Sequence, residues 1–308
     1  MIMGDAIQVP APALRGTLRV NESMARHVSW RAGGAAARVY IPSDIPDLAA
    51  FLSRLPSGEP VCMVGLGSNL LVRDGGYRGT VVLTHGSYRA LRMDGECVYA
   101  EAGVASPKIA RFAAKQGLDG AEFLVGIPGT VGGALAMNAG CDGAETWDFV
   151  ARALTVDRRG ELRQRLPAEF EIGYRHCAVR DARLGDDLWF AAAWFRFKTG
   201  NRDQAHERIS GLLERRIESQ PLELPNAGSV FRNPPGDHAA RMIEACALKG
   251  HAIGGARISE KHANFIVNPN RRARAADIEA LIEHARSAVK ERFGIELQTE
   301  VRIIGEPA

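Results

Sequence analysis

The fifteen residues Gly126-Ile127-Pro128-Gly129-Thr130-Val131-Gly132-Gly133-Ala134-Leu135-Ala136-Met137-Asn138-Ala139-Gly140 hold five glycines and three alanines, which leaves the backbone almost bare. Bare backbone lets main-chain N–H groups approach a ligand closely, and glycine reaches the positive-φ geometries that aim several of them one way. Such nests of amides bind phosphate oxygens. A tight glycine-rich surface loop is the other reading of the same stretch. A second glycine loop upstream, Gly65-Leu66-Gly67-Ser68-Asn69-Leu70, and three polar signatures downstream favour the ligand.

At 308 residues the chain is too long for one small core and suggests two or three compact units. Its net charge is only +3, and the run Arg271-Arg272-Ala273-Arg274 reads as a solvated loop, not a nucleic-acid patch. Cys62, Cys97, Cys141, Cys177 and Cys246 are scattered singly, as expected of reduced thiols in the cytosol. Neither they nor the histidines have metal-ligand spacing. There is no secretory signal pattern and no apolar stretch of about 18 residues to span a bilayer. The expectation is a cytoplasmic protein without nucleic-acid, membrane or obligatory protein partners.

Residues 1–20 are aperiodic and read as a loosely held leader. A first unit, 21–85, has strands at Arg38–Pro42, Val61–Val64, Leu70–Val72 and Val81–Leu83, and a helix begun by Asp44. A second unit, 86–199, has strands at Cys97–Ala102, Leu154–Asp157 and Leu188–Phe197. Within it, Ser106-Pro107 supplies an N-cap and an N1 proline for a helix that Gly117 ends. A third unit, 200–308, opens with a charged amphipathic helix over 203–219, stopped by Pro221. Its last helix, Asp277–Phe293, closes at Gly294, and a period-2 strand runs from Ile295 to Ile303.

The loop at Gly65 is not a dinucleotide fingerprint, because Leu70-Leu71-Val72 continues as strand and no helix N-terminus faces it. No Gly-x-x-x-x-Gly-Lys-[Ser/Thr] loop is present either. Two glycine loops on separate β-rich units fit a cofactor lying between them.

Gly65-Leu66-Gly67-Ser68-Asn69-Leu70-Leu71-Val72, Gly126-Ile127-Pro128-Gly129 and Gly132-Gly133-Ala134 with Met137-Asn138-Ala139-Gly140 resemble the UDP-N-acetylenolpyruvoylglucosamine reductase family. The likeness continues through Gly173-Tyr174-Arg175, Ala227-Gly228-Ser229-Val230-Phe231-Arg232-Asn233-Pro234 and His262–Asn268 to Glu300-Val301, and so covers roughly residues 20–305 in order. It implies an α+β fold: a two-part FAD-binding region of the p-cresol methylhydroxylase type and a C-terminal α+β substrate domain. The short interval from Arg175 to Ser229 fits the subclass without the family's extra tyrosine-bearing loop.

The resemblance also implies chemistry. NADPH reduces FAD, and the reduced flavin reduces the enolpyruvyl ether of UDP-N-acetylglucosamine enolpyruvate, a peptidoglycan precursor step. Arg175 and Glu300 would flank the substrate carboxylate and Ser229 would protonate C2. The residue types suit these roles. An arginine fork matches a carboxylate, and Glu300 helps most if its pKa is raised so that it stays protonated. Taken singly, Glu300 reads as a solvated glutamate on the polar side of a strand, Ser229 as a turn serine and Arg175 as a surface arginine. Their joint presence in the family's motifs singles them out.

Flavin contacts are assigned to Gly65, Gly67, Ser68 and Asn69 in one loop. In the other they fall on Gly126, Ile127, Gly129, Thr130, Gly132, Gly133 and Asn138. The glycines would offer N–H groups to the pyrophosphate. Gly33-Gly34 serves either close approach to the cofactor or a tightly packed turn. No histidine follows that pair, so the FAD is expected to be non-covalent. Asn233 and Asn264 are assigned to substrate, Arg232 and Asn264 being candidates for its diphosphate or sugar.

Overall fold

Val61-Cys62-Met63-Val64 is a short apolar run stopped by Gly65, and such a run is stable only inside a sheet. The computed structural model, which describes residues 13–86 and 89–308, puts it there. The first unit holds β1 (Thr17–Ser23), β2 (Ala35–Ile41), α1 (Ile45–Leu52), β3 (Val61–Val64), β4 (Leu70–Val72) and β5 (Tyr77–Leu83). Four of its strands make one sheet in the order β1-β2-β5-β3, antiparallel at β1 and parallel elsewhere. Asp44 caps α1 as expected, accepting the Asp47 N–H at 2.9 Å. The leader is shorter than its aperiodic sequence suggests. Residues 17–20 belong to β1, whose side chains are nearly all exposed, so no hydrophobic period marks a strand held by its backbone ladder. Residues 1–12 lie outside the described residues.

The second unit begins with β6 (Leu91–Asp94), β7 (Cys97–Glu101), α2 (Ser106–Lys115), β8 (Leu118–Asp119) and α3 (Val131–Met137). Two small hairpins alternate with its larger strands. They are β9 (Gly140–Cys141) with β10 (Ala144–Glu145), and β13 (Phe170–Gly173) with β14 (His176–Val179). The larger strands are β11 (Val150–Asp157), β12 (Leu162–Arg165) and β15 (Leu188–Phe195), and the sheet runs β12-β11-β15-β7-β6, antiparallel throughout. Every residue of β15 is buried, so it reads as a continuous apolar run. Helix α2 starts at Ser106, one residue earlier than the capping rule places it. Ala105 stands at the cap, and the Ser106 Oγ is buried without a protein partner.

After β16 (Lys198–Thr199) comes α4 (Arg202–Ser219), expected to open the third unit. Its apolar face, Ala205, Ile209 and Leu212, packs instead into the second unit's core beside Ile109 and Phe123. Arg208 also pairs with Glu122 there at 2.6 Å. The C-terminal unit therefore starts near residue 220. It contains α5 (Ala239–Ala245), β17 (Ala252–Ile253), β18 (Ala256–Ile258), β19 (Ile266–Val267), α6 (Ala275–Phe293) and β20 (Arg302–Ile304). The strand expected over 295–303 is shorter because its partner changes. Thr299 bridges Phe231, and β20 then pairs in parallel with β4 of the first unit.

The architecture is thus α+β, with a two-part N-terminal region and a C-terminal unit stapled to it. Trp30 of the first unit is fully buried in the C-terminal core, and its Nε1 donates to the Ile266 carbonyl at 2.7 Å. Asp74 reaches across to accept the Ala275 and Ala276 N–H groups at the start of α6, both at 2.9 Å. Among the described residues no helix is long and apolar enough to cross a membrane.

Candidate active site

The two glycine loops meet. A side chain at Gly65 would occupy the space of the Thr130 hydroxyl, and one at Gly129 would touch the Ser68 Oγ at 3.4 Å. Beside this contact opens a cavity of about 630 Å³ with Gly65, Leu66, Ser68, Pro128, Asn226 and Gly228 in its wall. Arg26, Arg31, Arg216 and Arg271 face it, with Glu223 as the acidic residue of the wall. A bare, cation-rich hollow of this size fits a dinucleotide diphosphate. Gly65 and Ser68 line it, and Gly129 lies against Ser68. Helix α4 delivers Arg216, whose burial lowers its pKa from the ordinary arginine value. In the sequence Arg216 is only one more charge on an amphipathic helix.

Several residues expected at the flavin do other work. The Gly132 N–H donates to the Ala102 carbonyl at 2.9 Å and is not free for phosphate. Gly67, at φ +61°, lets the chain pass against His27 and Val28, and Gly126 makes room for the Cys141 sulfur. Ile127 and Thr130 are buried in the protein, whereas Gly133 faces open space. Gly33 and Gly34 pack on Val72 and Asp74, the tight-turn alternative. Asn138 is buried with both amide hydrogens taken, by Glu145 at 2.7 Å and the Gly173 carbonyl at 3.1 Å. It anchors the hairpin that carries Arg175 and has no free donor for a cofactor.

That hairpin turns on Tyr174 and Arg175, and Arg175 sits at φ +52°. A non-glycine residue in the left-handed region is strained, and such strain persists where the surroundings enforce it. Here Arg175 is held twice. Its Nε donates to the Glu300 carboxyl at 2.9 Å, and Nη2 donates to the Gly140 carbonyl at 3.3 Å. Glu300 is positioned through its backbone: its N–H reaches the Val230 carbonyl at 2.8 Å, and the Asn69 amide donates to its carbonyl at 3.1 Å. Asn69, expected at the flavin, therefore ties the first glycine loop to Glu300.

Ser229 lies between Gly228 in the cavity wall and Val230, which holds Glu300. Its loop is set by the Asn226 side chain, which accepts the Gly228 N–H at 2.9 Å, and by Gly228 at φ +72°. Among the described residues the half-buried Ser229 hydroxyl has no hydrogen-bond partner. Burial pushes the Glu300 pKa above its ordinary value, although Arg175 by charge and hydrogen bond, and Arg232 by charge, pull it down. The carboxyl of Glu300, raised in pKa by burial, is held against the Arg175 guanidinium, and Ser229 follows Gly228 of the cavity wall in sequence.

Asn264 and Asn233, both expected at substrate, are accounted for within the protein. The buried Asn264 amide accepts the Phe231 N–H at 2.9 Å and donates to the Phe231 carbonyl at 2.8 Å, like a neighbouring strand. It clamps the segment that carries Ser229. Asn233 is exposed, and its Oδ1 accepts the Ala239 N–H at 3.1 Å at the start of α5.

Fold and site together define an FAD-dependent oxidoreductase. Residues 36–164 match the FAD binding domain, and residues 220–304 match the C-terminal domain of UDP-N-acetylenolpyruvoylglucosamine reductase. The reductase of that name from Thiobacillus denitrificans is 56% identical over 310 residues, covering 96% of this chain and 94% of that one. The one from Nitrosospira multiformis is 55% identical, covering 96% and 90%. The crystal structure of the Thermus caldophilus reductase superposes with a TM-score of 0.79 at 29% identity, covering 94% of this chain and 98% of that one. The chain belongs to the UDP-N-acetylenolpyruvoylglucosamine reductase family.

Proposed function

We propose that this enzyme reduces the enolpyruvyl ether of UDP-N-acetylglucosamine enolpyruvate to the lactyl ether of UDP-N-acetylmuramate, with NADPH as electron source. The observation that carries the reading is the Arg175–Glu300 pair, joined through Val230 to Ser229, whose neighbour Gly228 lines a glycine- and arginine-rich cavity. Gly65, Ser68, Gly129 and Gly133 would hold FAD non-covalently. When bound, FAD supplies hydride, taken from NADPH, to C3 of the enolpyruvyl group.

As that hydride pair forms the new C3–H bond, the π pair moves toward C2 and the carboxylate. Arg175, which never loses its charge, binds the carboxylate that gains electron density. Glu300 in its acid form donates a hydrogen bond there, where an ionised carboxylate would repel. The Ser229 hydroxyl, unengaged by the protein, transfers its proton to C2 and completes the lactyl carbon.

The purified protein should be yellow, anaerobic NADPH should bleach it, and the enolpyruvyl sugar should restore the colour. A colourless protein with no spectral response to added FAD sinks the proposal. Oxygen consumption without any response to NADPH would replace it with an oxidase. Ser229→Ala should bind the UDP-sugar within a few-fold of wild type and turn over about 100-fold or more slower. Equal turnover in a single-turnover assay removes Ser229 as the proton donor.

A further inference from the structure

Four buried side-chain polar atoms among the described residues have no hydrogen-bond partner: Ser106 Oγ and the Nε atoms of Arg152, Arg165 and Arg232. The first two arginines have counter-charges elsewhere on the guanidinium. Arg165 holds Asp181 through two bonds of 3.0 Å, and Arg152 lies 3.6 Å from Asp94. Arg232 has no such direct pairing: among the described residues no carboxylate lies within ion-pair distance of it, and Glu300 acts on it by charge from further off. Desolvating a guanidinium is unfavourable, so one half-buried without an anion is a site prepared for an anion from outside.

Its place in the fold says which anion. The Arg232 N–H donates to the Gln298 carbonyl at 2.9 Å, the Glu300 N–H donates to the Val230 carbonyl at 2.8 Å, and Phe231 bridges Thr299 between them. On such an antiparallel ribbon alternate residues share a face. Phe231 points into the C-terminal core, so Arg232 and Glu300 are diagonal neighbours on the other face. Asn264 grips Phe231 from both sides, so Arg232 springs from a fixed backbone. Glu300 is thereby flanked by two arginines, Arg175 in direct contact and Arg232 acting by charge without an ion pair of its own.

We infer that Arg232 is a second guanidinium of the active site and binds the enolpyruvyl carboxylate of the substrate together with Arg175. The inference rests on the reaction proposed above and names a contact for it. It also explains the charge count. With Glu300 protonated, the two arginines offer two positive charges to a carboxylate that starts with one negative charge. That group gains most of a second as hydride adds to C3. The match is better in the transition state than in the ground state, so Arg232 contributes to kcat as well as to binding.

The test uses FAD-loaded wild type, Arg232→Met and Arg232→Lys, titrated without NADPH and followed by the flavin absorbance change. The two ligands are UDP-N-acetylglucosamine enolpyruvate and UDP-N-acetylglucosamine, which has the same diphosphate but no carboxylate. Arg232→Met should weaken the enolpyruvyl ligand about 30-fold or more and leave the other within about threefold. The lysine variant should recover part of the loss, since a point charge replaces a fork. Equal weakening of both ligands would make Arg232 a diphosphate contact and overturn the inference, and so would no weakening of either. A wild-type protein that does not respond to the enolpyruvyl sugar sinks the parent reaction and this assignment together. Should Arg232→Met fail to hold flavin, Arg232→Gln and the lysine variant carry the same comparison.

Discussion

Arg175, proposed above to bind the substrate carboxylate, sits in a strained backbone. Its left-handed backbone, at φ +52°, suits glycine or asparagine better. Arg175→Gly should abolish turnover yet unfold within about 3 kcal/mol of wild type, because relief of that strain, about 1–2 kcal/mol, offsets part of the loss of a mostly buried ion pair. Urea melts beside a turnover assay check this; a large loss of stability would mean that Arg175 is structural. Glu300 gives the pH dependence. Its pKa is raised chiefly by burial, so the useful acid form is lost as pH rises through that raised value. The rate should fall on that limb in wild type. In Glu300→Gln it should be lower but flat across it, and a limb that survives the substitution belongs to another group.

At the scale of elements, the asparagines are where residue type misleads. Amides suit phosphate and sugar oxygens, which is why Asn69, Asn138 and Asn264 read as ligand contacts in the sequence. In the fold each binds backbone at or near a residue proposed for the reaction: Asn69 at Glu300, Asn138 at Gly173 and Asn264 at Phe231. Asn264→Ala would leave the Phe231 N–H and carbonyl buried without partners. It should cost about 2–4 kcal/mol in a denaturant melt. Loss of much less would mean that the ribbon is held by Thr299 and Gln298 alone. The glycine segment is legible as a close-approach loop. Its division is not, because whether an amide such as that of Gly132 is free depends on where Ala102 of a distant strand lies.

Across the whole molecule, the C-terminal unit is not self-sufficient. Trp30, Ala32 and Leu71 of the first unit are part of its core, β20 pairs with β4, and Asp74 caps α6. Residues 220–308 alone should therefore lack a cooperative thermal transition by circular dichroism; a sharp, reversible one would show an independent domain. Acid should act on the molecule as a unit. Burial would raise the carboxyls of Asp47, Glu59 and Asp277, but hydrogen bonds and arginines outweigh it and hold all three low. A carboxylate depressed in the folded state stabilises it above the ordinary range near pH 4 and loses that contribution as pH falls through its folded value. Glu300 runs the opposite way, favouring the fold at low pH and losing that contribution as pH rises. Melts below about pH 4 should show a net loss of stability, since three groups oppose one. Unchanged stability there would mean that these contacts are too weak to matter.

The sequence by itself determined the local units and the chemistry available to them. Apolar runs, caps and glycines mark β3, α1 and the two loops, and Arg175, Ser229 and Glu300 stand in motifs that carry a family resemblance. Those are short-range properties of a chain, written in spacing and residue type. Only the tertiary structure decided that α4 serves the second unit, that β20 lies on β4, and that Arg232 shares a face with Glu300. Such pairings join residues up to more than two hundred positions apart, and no local periodicity encodes which distant backbone a strand or an amide will meet.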